Sequence, residues 1–409
     1  MFDQPPSPLD QTGVSPLISG NASGQPRPFS VHAIEFTGSG SEYFRIWIVN
    51  LLLMVVTLGL YYPWAKVRKL RYFYGNTMVA GHPLDFHGNP RKMMRGFLLV
   101  SVLMVLYSAA GRVSDTAGFI ALIIVALLWP ALMRSSLQFR LANTSWRGLR
   151  FAFNGSLKDA YMVMLVPAGV MIGLFILSVI LIAMLGGSRG ERSGLGQLIG
   201  MAPIMIGFFA LGPYVWWRIK RYQHANYALG PMQTQFRASY KRMLGVFMKT
   251  GLLSMLCMVV ALAVVGVVMG ASVLSDPAQA QDKGAAMLKV MLPIFVLLML
   301  LAQLIQVPYF TSRMQNLVWT ETGNRMVRFK SNLELWPLMW LTFKNWALTL
   351  LTLGLYWPFA AVALARARLQ AIVIHSRQDP DQLVALSRAG RRDAAGDMAA
   401  DMIGIDFGI

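Results

Sequence analysis

Long apolar segments constrain the fold of this chain more than any other feature of its sequence. Eight runs reach or approach the roughly 18 residues that a helix needs to cross the hydrocarbon core of a bilayer. Only 13% of the residues are charged, against about 25% in a soluble domain, so lipid must cover much of the surface. The sequence therefore predicts an all-α, polytopic membrane helix bundle. Its apolar segments lie approximately at residues 44–63, 95–111, 116–133, 160–186, 196–217, 244–271, 287–310 and 338–361.

The basic residues are distributed unevenly between these segments. The linkers after the first, third, fifth and seventh segments hold about 22 Lys and Arg residues, whereas those after the second, fourth and sixth hold five. Short loops rich in Lys and Arg stay on the cytoplasmic side of a membrane. We therefore expect a bacterial inner (plasma) membrane protein with cytoplasmic basic loops that contact anionic lipid headgroups. This placement accounts for the net charge of +19, so nucleic acid is not expected as a partner, and no oligomeric state is indicated.

One motif near the start of the chain recurs near its end. Residues 57–63 read TLGLYYP and residues 352–358 read TLGLYWP, and an asparagine, Asn50 or Asn345, precedes each proline by 13 residues. Weaker copies lie between them, where Pro63 and Pro213 are each followed by Arg, Arg and Asn at offsets of 5, 8 and 13. We predict about five copies of one module. Each has an apolar helix, a proline at its exit and a basic, aromatic helix.

The domain boundaries follow from composition. Residues 1–35 are rich in Pro and Ser and are predicted to form a disordered tail. Residues 36–376 are predicted to be the multi-pass membrane domain with internal repeats, and residues 377–409 a polar C-terminal tail.

Two membrane topologies remain open. If all eight segments cross the membrane, the similar first and last segments run in opposite directions, and the arginines after the last one become periplasmic. Alternatively, the first and last segments are re-entrant, which leaves six true spans and both tails in the cytoplasm. Irregular backbone at such depth must be buried in protein.

The repeated arginines and asparagines are the first candidate site. A guanidinium group binds phosphate in a bidentate geometry, so these residues could cradle an anionic headgroup or substrate at the cytoplasmic interface. The alternative is that they only orient the chain by their charge. The candidates are Arg68, Arg71, Asn76, Arg218, Arg221, Asn226 and Arg313.

Asn50 and Asn345 are the second candidates, because a polar side chain inside the membrane is often functional. The alternative is a hydrogen bond between neighbouring helices.

Catalytic and cofactor motifs are not found. There is no Walker-type loop, no Gly-x-Ser-x-Gly elbow and no His-Glu-x-x-His. The single cysteine, Cys257, lies in an apolar run. His82, Asp85 and His87 surround a turn, and a polar surface is favoured there over a metal site. We expect no enzymatic activity, no metal and no cofactor.

Several phrases together resemble a known family. They are Phe36-Thr37-Gly38-Ser39-Gly40, TLGLYYPWA at 57–65, Arg71-Tyr72, Asn76-Thr77, Phe86-His87-Gly88 and the Asp-rich ending at 401–409. The chain is similar in them to the YjgN-like bacterial inner-membrane proteins, a domain of unknown function (898), over nearly its whole length after residue 30. The resemblance implies a multi-pass inner-membrane protein. It implies no substrate and no catalytic residue.

Two functions remain open. Repeated helical modules are typical of transporters and favour a transporter or channel. The alternative is a non-transporting, lipid-binding or membrane-organising scaffold, which the basic interfacial helices and the lack of carboxylates at membrane depth favour.

Overall fold

The computed structural model describes residues 29–185, 194–275, 284–377, 379, 381, 382, 384 and 385. Helices and short strands alternate along these residues. The helices are α1 Gly40–Val56, α2 Tyr62–Gly75, α3 Pro90–Val113, α4 Asp115–Ala142, α5 Leu157–Leu185, α6 Gly194–Ala225, α7 Tyr240–Ser275, α8 Gly284–Thr320, α9 Leu335–Leu351 and α10 Trp357–Gln370. The strands are β1 Ser30–Phe36, β2 Thr77–Val79, β3 His82–Phe86, β4 Thr144–Trp146, β5 Leu149–Phe153, β6 Tyr227–Leu229, β7 Met232–Gln233, β8 Gln235–Phe236, β9 Thr322–Gly323, β10 Val327–Ser331 and β11 Ile372–Ser376.

The strands form a closed ring. Their order is β7-β6-β5-β4-β3-β2-β1-β11-β10-β9-β8, and every pairing is antiparallel. The two ends of this order meet, because β7 and β8 are consecutive in the chain with Thr234 between them. The prediction of an all-α protein is therefore wrong in this respect. The strands are difficult to predict because they are two to seven residues long. They also lie in linkers where basic residues obscure the alternation of apolar and polar residues.

Tight turns join two of the strand pairs. Ala80 and Gly81 have φ of 48° and 75°, and Arg147 and Gly148 have φ of 51° and 80°. Two consecutive residues with positive φ are what a two-residue hairpin needs, because that turn matches the twist of the strands. Glycine adopts such angles without steric cost.

The helices form five antiparallel pairs, each of which leaves the strand ring and returns to it at one point. The backbone N–H of the residue that follows a strand donates to the carbonyl oxygen of the residue that follows the second helix of the pair. These five hydrogen bonds join Thr37 to Asn76 (3.0 Å), His87 to Asn143 (2.7 Å), Asn154 to Asn226 (3.0 Å), Arg237 to Glu321 (2.9 Å) and Asn332 to Ala371 (2.9 Å). Both termini of the described chain, β1 and β11, therefore lie at the ring, where they pair with each other.

The first and last helix pairs are short. α1 and α9 have 17 residues each, and each apolar segment is divided by a turn in which Leu58 and Gly59, or Leu353 and Gly354, have positive φ. The segments at 44–63 and 338–361 are thus two helices each and not one continuous helix. The turn is hidden from hydropathy because Leu58 and Leu353, each 94% exposed, are themselves apolar.

A threonine closes each of these turns. Thr57 Oγ1 donates to the carbonyl oxygen of Leu53 (2.7 Å) and accepts from the backbone N–H of Tyr61 (3.0 Å). Thr352 makes the equivalent bonds to Leu348 and Tyr356 (2.7 and 2.9 Å). Backbone groups in hydrocarbon must be bonded within the protein, and the threonine provides such bonds at the turn.

Six helices in the described part of the chain, α3 to α8, are long and apolar enough to cross a membrane. The spanning parts of α7 and α8 are Tyr240–Val268 and Met291–Thr320. The expectation of eight comparable segments is corrected to six, because α1, α2, α9 and α10 have 17 residues or fewer.

The ends of the chain modify the domain boundaries. Residues 30–35, assigned to the N-terminal tail, belong to β1. Residues 1–28 and 386–409, where most of the two predicted tails and the Asp-rich ending fall, lie outside the described residues.

Candidate functional site

The arginines singled out by the repeat lie against aromatic rings and backbone carbonyls. The guanidinium of Arg68 stands 5.7 Å from the ring centroid of Tyr61, and that of Arg221 stands 5.4 Å from the ring of Trp217. Arg218 and Arg313 stack in the same way on Tyr214 (5.9 Å) and Tyr309 (5.7 Å). A cation over an aromatic face is attracted by the ring quadrupole, so these four residues have a structural use.

Arg71 takes part in a contact that joins each helix pair to the next. In all five cases a side chain of the second helix donates to the carbonyl oxygen that lies two residues after the last strand residue. The donors and acceptors are Arg366 and Gly38 (2.7 Å), Arg71 and Gly88 (3.4 Å), Arg134 and Gly155 (2.7 Å), Trp217 and Ala238 (2.8 Å), and Ser312 with Asn316 and Leu333 (2.8 and 3.0 Å). We call these five contacts the inter-pair locks.

Asn76 and Asn226 end helices. The Nδ2 of each donates to the carbonyl oxygen four residues earlier, that of Tyr72 or Tyr222, over 2.8 Å. Asn143 does the same to Phe139 over 2.7 Å. The recurring Arg and Asn residues thus supply contacts that assemble the fold, and the structure does not gather them around one ligand.

Asn50 and Asn345 occupy corresponding places in α1 and α9. Both are buried, at 5% and 7% exposure, and the Oδ1 atom of each has no hydrogen-bond partner among the described residues. Buried polar atoms in proteins are nearly always bonded, so these two oxygens are exceptions.

A partly open cavity lies within the strand ring. It has a volume of about 740 Å³ and is lined by residues of every strand except β8 and by the C-terminal parts of the five second helices, α2, α4, α6, α8 and α10. Alternate strand residues face it, such as Thr77 and Val79 or Thr144 and Trp146, as the period of two in a strand requires. We call this space the ring cavity.

Three cationic side chains line the ring cavity. They are Arg140 of α4, Lys220 of α6 and Arg368 of α10. Arg140 and Arg368 lie close enough to Lys220 to act electrostatically on its ammonium group. The described residues that line the cavity include no Asp or Glu, so the local charge is positive.

The surroundings hold these cations in place. Arg368 Nε donates to Gln315 Oε1 (2.7 Å), and Gln315 Nε2 donates back to the carbonyl oxygen of Arg368 (2.8 Å). Lys220 Nζ lies 5.5 Å from the ring centroid of Trp216. The side chains of Arg140 and Arg368 are exposed to the open cavity. The protein around Arg368 still removes part of its water, and this burial lowers the pKa of its guanidinium. The guanidinium remains charged at neutral pH, because arginine titrates far above it.

The rest of the wall is mainly apolar and aromatic. Trp216 and Phe310 lie on the helix side of the cations, and Trp146, Phe151 and Met232 lie on the strand side. His224 is buried, and its Nδ1 lies 3.1 Å from Thr322 Oγ1. Across the residues described, no three His, Cys, Asp or Glu side chains are grouped as a metal would require. His87, considered with His82 and Asp85 in the sequence, instead has its Nε2 2.8 Å from Ser145 Oγ.

Residues just after β11 lie against the strand side of the cavity wall. Asp381 forms an ion pair with Arg147 in the turn between β4 and β5. Val384 is 5% exposed and packs in a cluster with Trp146 and Leu149. Leu84, Phe151 and Met232, which line the cavity, border the same cluster. We call the described residues after β11, namely 379, 381, 382, 384 and 385, the C-terminal segment.

The sequence held a signal for the cationic residues. Arg140 and Arg368 both follow a buried proline, Pro130 or Pro358, by ten residues, and Lys220 follows Pro213 by seven. Offsets of 7 and 10 lie on one helix face and the offsets of 5 and 8 on another. The repeated motif predicts only the face with offsets 5 and 8, because the residues on that face recur from pair to pair.

Comparisons with known proteins place this architecture in a family. The model of the family "bacterial protein of unknown function (DUF898)" matches residues 31–402. The inner membrane protein YjgN of Salmonella typhimurium is 27% identical over 343 residues, which cover 81% of this chain and 86% of that protein. YjgN proteins of Escherichia coli O157:H7 and K12 are each 32% identical over 137 and 135 residues, about a third of either chain. No solved structure matches the chain.

Proposed function

This chain belongs to the DUF898 family of bacterial proteins and is a multi-pass inner-membrane protein; from this premise we propose that it acts as a transporter or channel. The observation that carries the proposal is the ring cavity, which lies where the second helices of all five pairs end. Solute sites of transporters are typically formed where repeated helical units meet. The ring cavity is then the chamber that a solute enters.

Similar contacts in the five helix pairs support this proposal. The five return hydrogen bonds, and the carbonyl acceptors of the five inter-pair locks, lie at corresponding positions in every pair, as a repeated unit would have them. Second helices of all five pairs contribute residues to the cavity lining. Each helix pair contacts the next pair along the chain, and α10 of the last pair contacts α1 of the first. The helices therefore also form a closed ring.

The proposed topology has six spans and two re-entrant helix pairs, with the ring in the cytoplasm. Most basic residues of the chain lie at the ring end of the helices, and such residues stay in the cytoplasm. A cysteine introduced as His82→Cys, at the exposed first residue of β3, should react with an impermeant maleimide only after the cells are opened. A cysteine at Ser114, in the turn between α3 and α4, should react in intact spheroplasts. The reverse pattern would place the ring outside.

Transport can be tested in proteoliposomes that are challenged with gradients of chloride, phosphate and organic anion salts. We expect swelling faster than in protein-free vesicles for at least one salt. In a Cys257→Ala background, a bulky methanethiosulfonate should block this flux through Leu84→Cys, which lies in the cavity. It should spare Val31→Cys, on the exposed side of β1. Swelling equal to that of empty vesicles for every salt contradicts the proposal.

A lipid-binding or membrane-organising scaffold is the second candidate. Three arginines stand over tyrosine side chains on the part of each helix that faces the strands, namely Arg68, Arg218 and Arg313. Aromatic and basic residues at a membrane interface contact lipid headgroups. Absence of flux, combined with co-purified anionic lipid that is lost when these three arginines are changed to alanine, favours the scaffold. Neither candidate assigns catalytic chemistry to the chain.

A further inference from the structure

We infer that the ring cavity binds an anion of one chemical class, a phosphate group joined to an apolar body. This inference rests on the proposed function in one respect, since it names the solute that the cavity takes. The evidence is the joint presence of Arg140, Lys220 and Arg368 in a space whose remaining wall is mainly apolar.

The charge of the site calls for an anion. Arg140 and Arg368 both act on Lys220, and the part of the cavity wall that the structure describes contains no carboxylate to offset them. Like charges gathered in a partly desolvated space repel each other, and a charge without a partner is costly there. An anion removes both penalties.

The number and type of the cations favour phosphate over a single carboxylate. Two guanidinium groups can each bind phosphate oxygens in bidentate fashion, and an ammonium group adds a point charge. Arg368 is oriented for this by Gln315, which bonds its Nε and its carbonyl oxygen. The terminal nitrogens of that guanidinium therefore keep donors for a ligand.

The walls on both sides of the cations call for an apolar body. Trp216 lies one helical turn before Lys220 in α6, and Phe310 lies nearby in the wall from α8. On the strand side, Trp146 and Phe151 face the same space. A bare inorganic ion would leave these aromatic surfaces in contact with water, whereas an apolar group would cover them.

The volume is compatible with such a ligand. Sites for small organic molecules usually measure about 300–1,000 Å³, and the ring cavity measures about 740 Å³. The phosphate could belong to a soluble organic phosphate or to a lipid with a phosphate monoester headgroup. The chemistry recognised is the same in both cases.

Binding should be measured on the full chain in nanodiscs of phosphatidylcholine, which carries no net charge. The probes are 2-naphthyl phosphate, 2-naphthol, inorganic phosphate and dihexanoyl phosphatidic acid, followed by calorimetry. We expect 2-naphthyl phosphate to bind at least about tenfold more tightly than either 2-naphthol or inorganic phosphate, because only it satisfies both halves of the site.

Variants test the residues named. Arg140→Gln and Lys220→Gln should each weaken the binding of 2-naphthyl phosphate about tenfold or more, since each removes a charge-assisted hydrogen bond. Arg140→Lys should restore part of the affinity. The matched controls are Arg95→Gln and Lys158→Gln, which remove exposed cations outside the cavity lining, and they should bind as the unaltered protein does. Monodisperse elution and an unchanged Tm confirm that each variant is folded.

Each outcome decides the inference. Tight binding of dihexanoyl phosphatidic acid alone supports it and identifies a lipid as the source, whereas competition between both phosphates supports a site open to either. Equal binding of inorganic phosphate and 2-naphthyl phosphate overturns it, as does binding that survives both cavity variants. Phosphate-dependent binding without any flux upholds this inference and refutes the transport function, whereas flux without such binding does the reverse.

Discussion

At the scale of single residues, two buried asparagines each have a side-chain oxygen without a hydrogen-bond partner among the described residues. The residues are Asn50 and Asn345, and the oxygen is Oδ1 in each. Both lie 13 residues before a proline, so the same arrangement occurs in the first and the last helix pair.

We predict that Asn50→Leu raises the Tm of the protein in detergent. An unsatisfied buried polar group costs roughly 1–3 kcal/mol, and leucine has a similar size without that oxygen. Asn76→Leu is the matched control and should lower Tm, because the Asn76 side chain donates to Tyr72 and accepts from Thr37. A lower Tm for Asn50→Leu would show that its oxygen is bonded in solution.

We also predict that Arg134→Ala lowers the free energy of unfolding by about 1.5–3 kcal/mol, the usual contribution of a hydrogen bond from a charged donor. Arg134 forms the inter-pair lock to Gly155. Ser135→Ala is a suitable control, since Ser135 is next to Arg134 in the chain and its side chain is exposed. Equal unfolding curves for both variants, followed by tryptophan fluorescence, would contradict a role for the lock.

Residue roles could be predicted from the sequence only in part. Arg71, Asn76, Arg218 and Asn226 recur at fixed offsets in the sequence, but recurrence indicates what every helix pair needs, which is contacts for assembly. Arg140 and Arg368 share the tenth position after a proline, but Lys220 lies at the seventh, and the other three pairs have Phe73, Gln223 and Val318 at the tenth. A binding site inside a ring of similar units can be asymmetric in this way, so internal repeats do not reveal it.

At the scale of elements, the turns of the two short helix pairs require residues in the left-handed backbone conformation. Gly59 has φ of +88°, and a Cβ atom built there would meet nothing within 4 Å. A side chain at this position is therefore strained by its backbone and by nothing else.

We predict that Gly59→Ala destabilises the protein by about 1 kcal/mol, the cost of a left-handed conformation for a residue with a Cβ atom. Gly96→Ala should leave stability unchanged or raise it slightly, because Gly96 lies in helix α3 with equally open space around it and alanine favours helix. Thermal unfolding of the two variants side by side provides the measurement. Identical losses would argue against a strained turn.

The helices were more predictable than the strands for a physical reason. A span needs about 18 apolar residues in succession, which is a long and redundant signal. A strand such as β2 or β4 has three residues, and one of its two pairing partners lies far away in the chain. Only the turn residues, such as Arg147-Gly148, carry a local sign of it.

At the scale of the whole molecule, the C-terminal segment lies against the wall of the ring cavity. The ion pair of Asp381 with Arg147 is exposed on the acidic side, at 74% of the side chain, so it adds little stability. Val384 is buried, and its apolar contact is the main attachment of the segment.

We predict that Val384→Asp increases access to the cavity. In a Cys257→Ala, Leu84→Cys background, the rate of labelling by a water-soluble maleimide should rise several-fold, because an aspartate cannot remain in an apolar cluster. Ala385→Asp, at an exposed neighbouring position, should leave the rate unchanged. Equal rates in both variants would show that the segment does not limit entry.

The pairing of β1 with β11 has a consequence for biogenesis. The ribosome delivers the first strand more than three hundred residues before the last, so one edge of the growing sheet stays open while every helix is inserted. Such an edge can recruit a wrong partner, and contacts this distant in sequence form slowly. Nascent chains halted before residue 372 should therefore depend on chaperones and be degraded quickly, and release of the final strand marks the moment at which the molecule becomes protease-resistant.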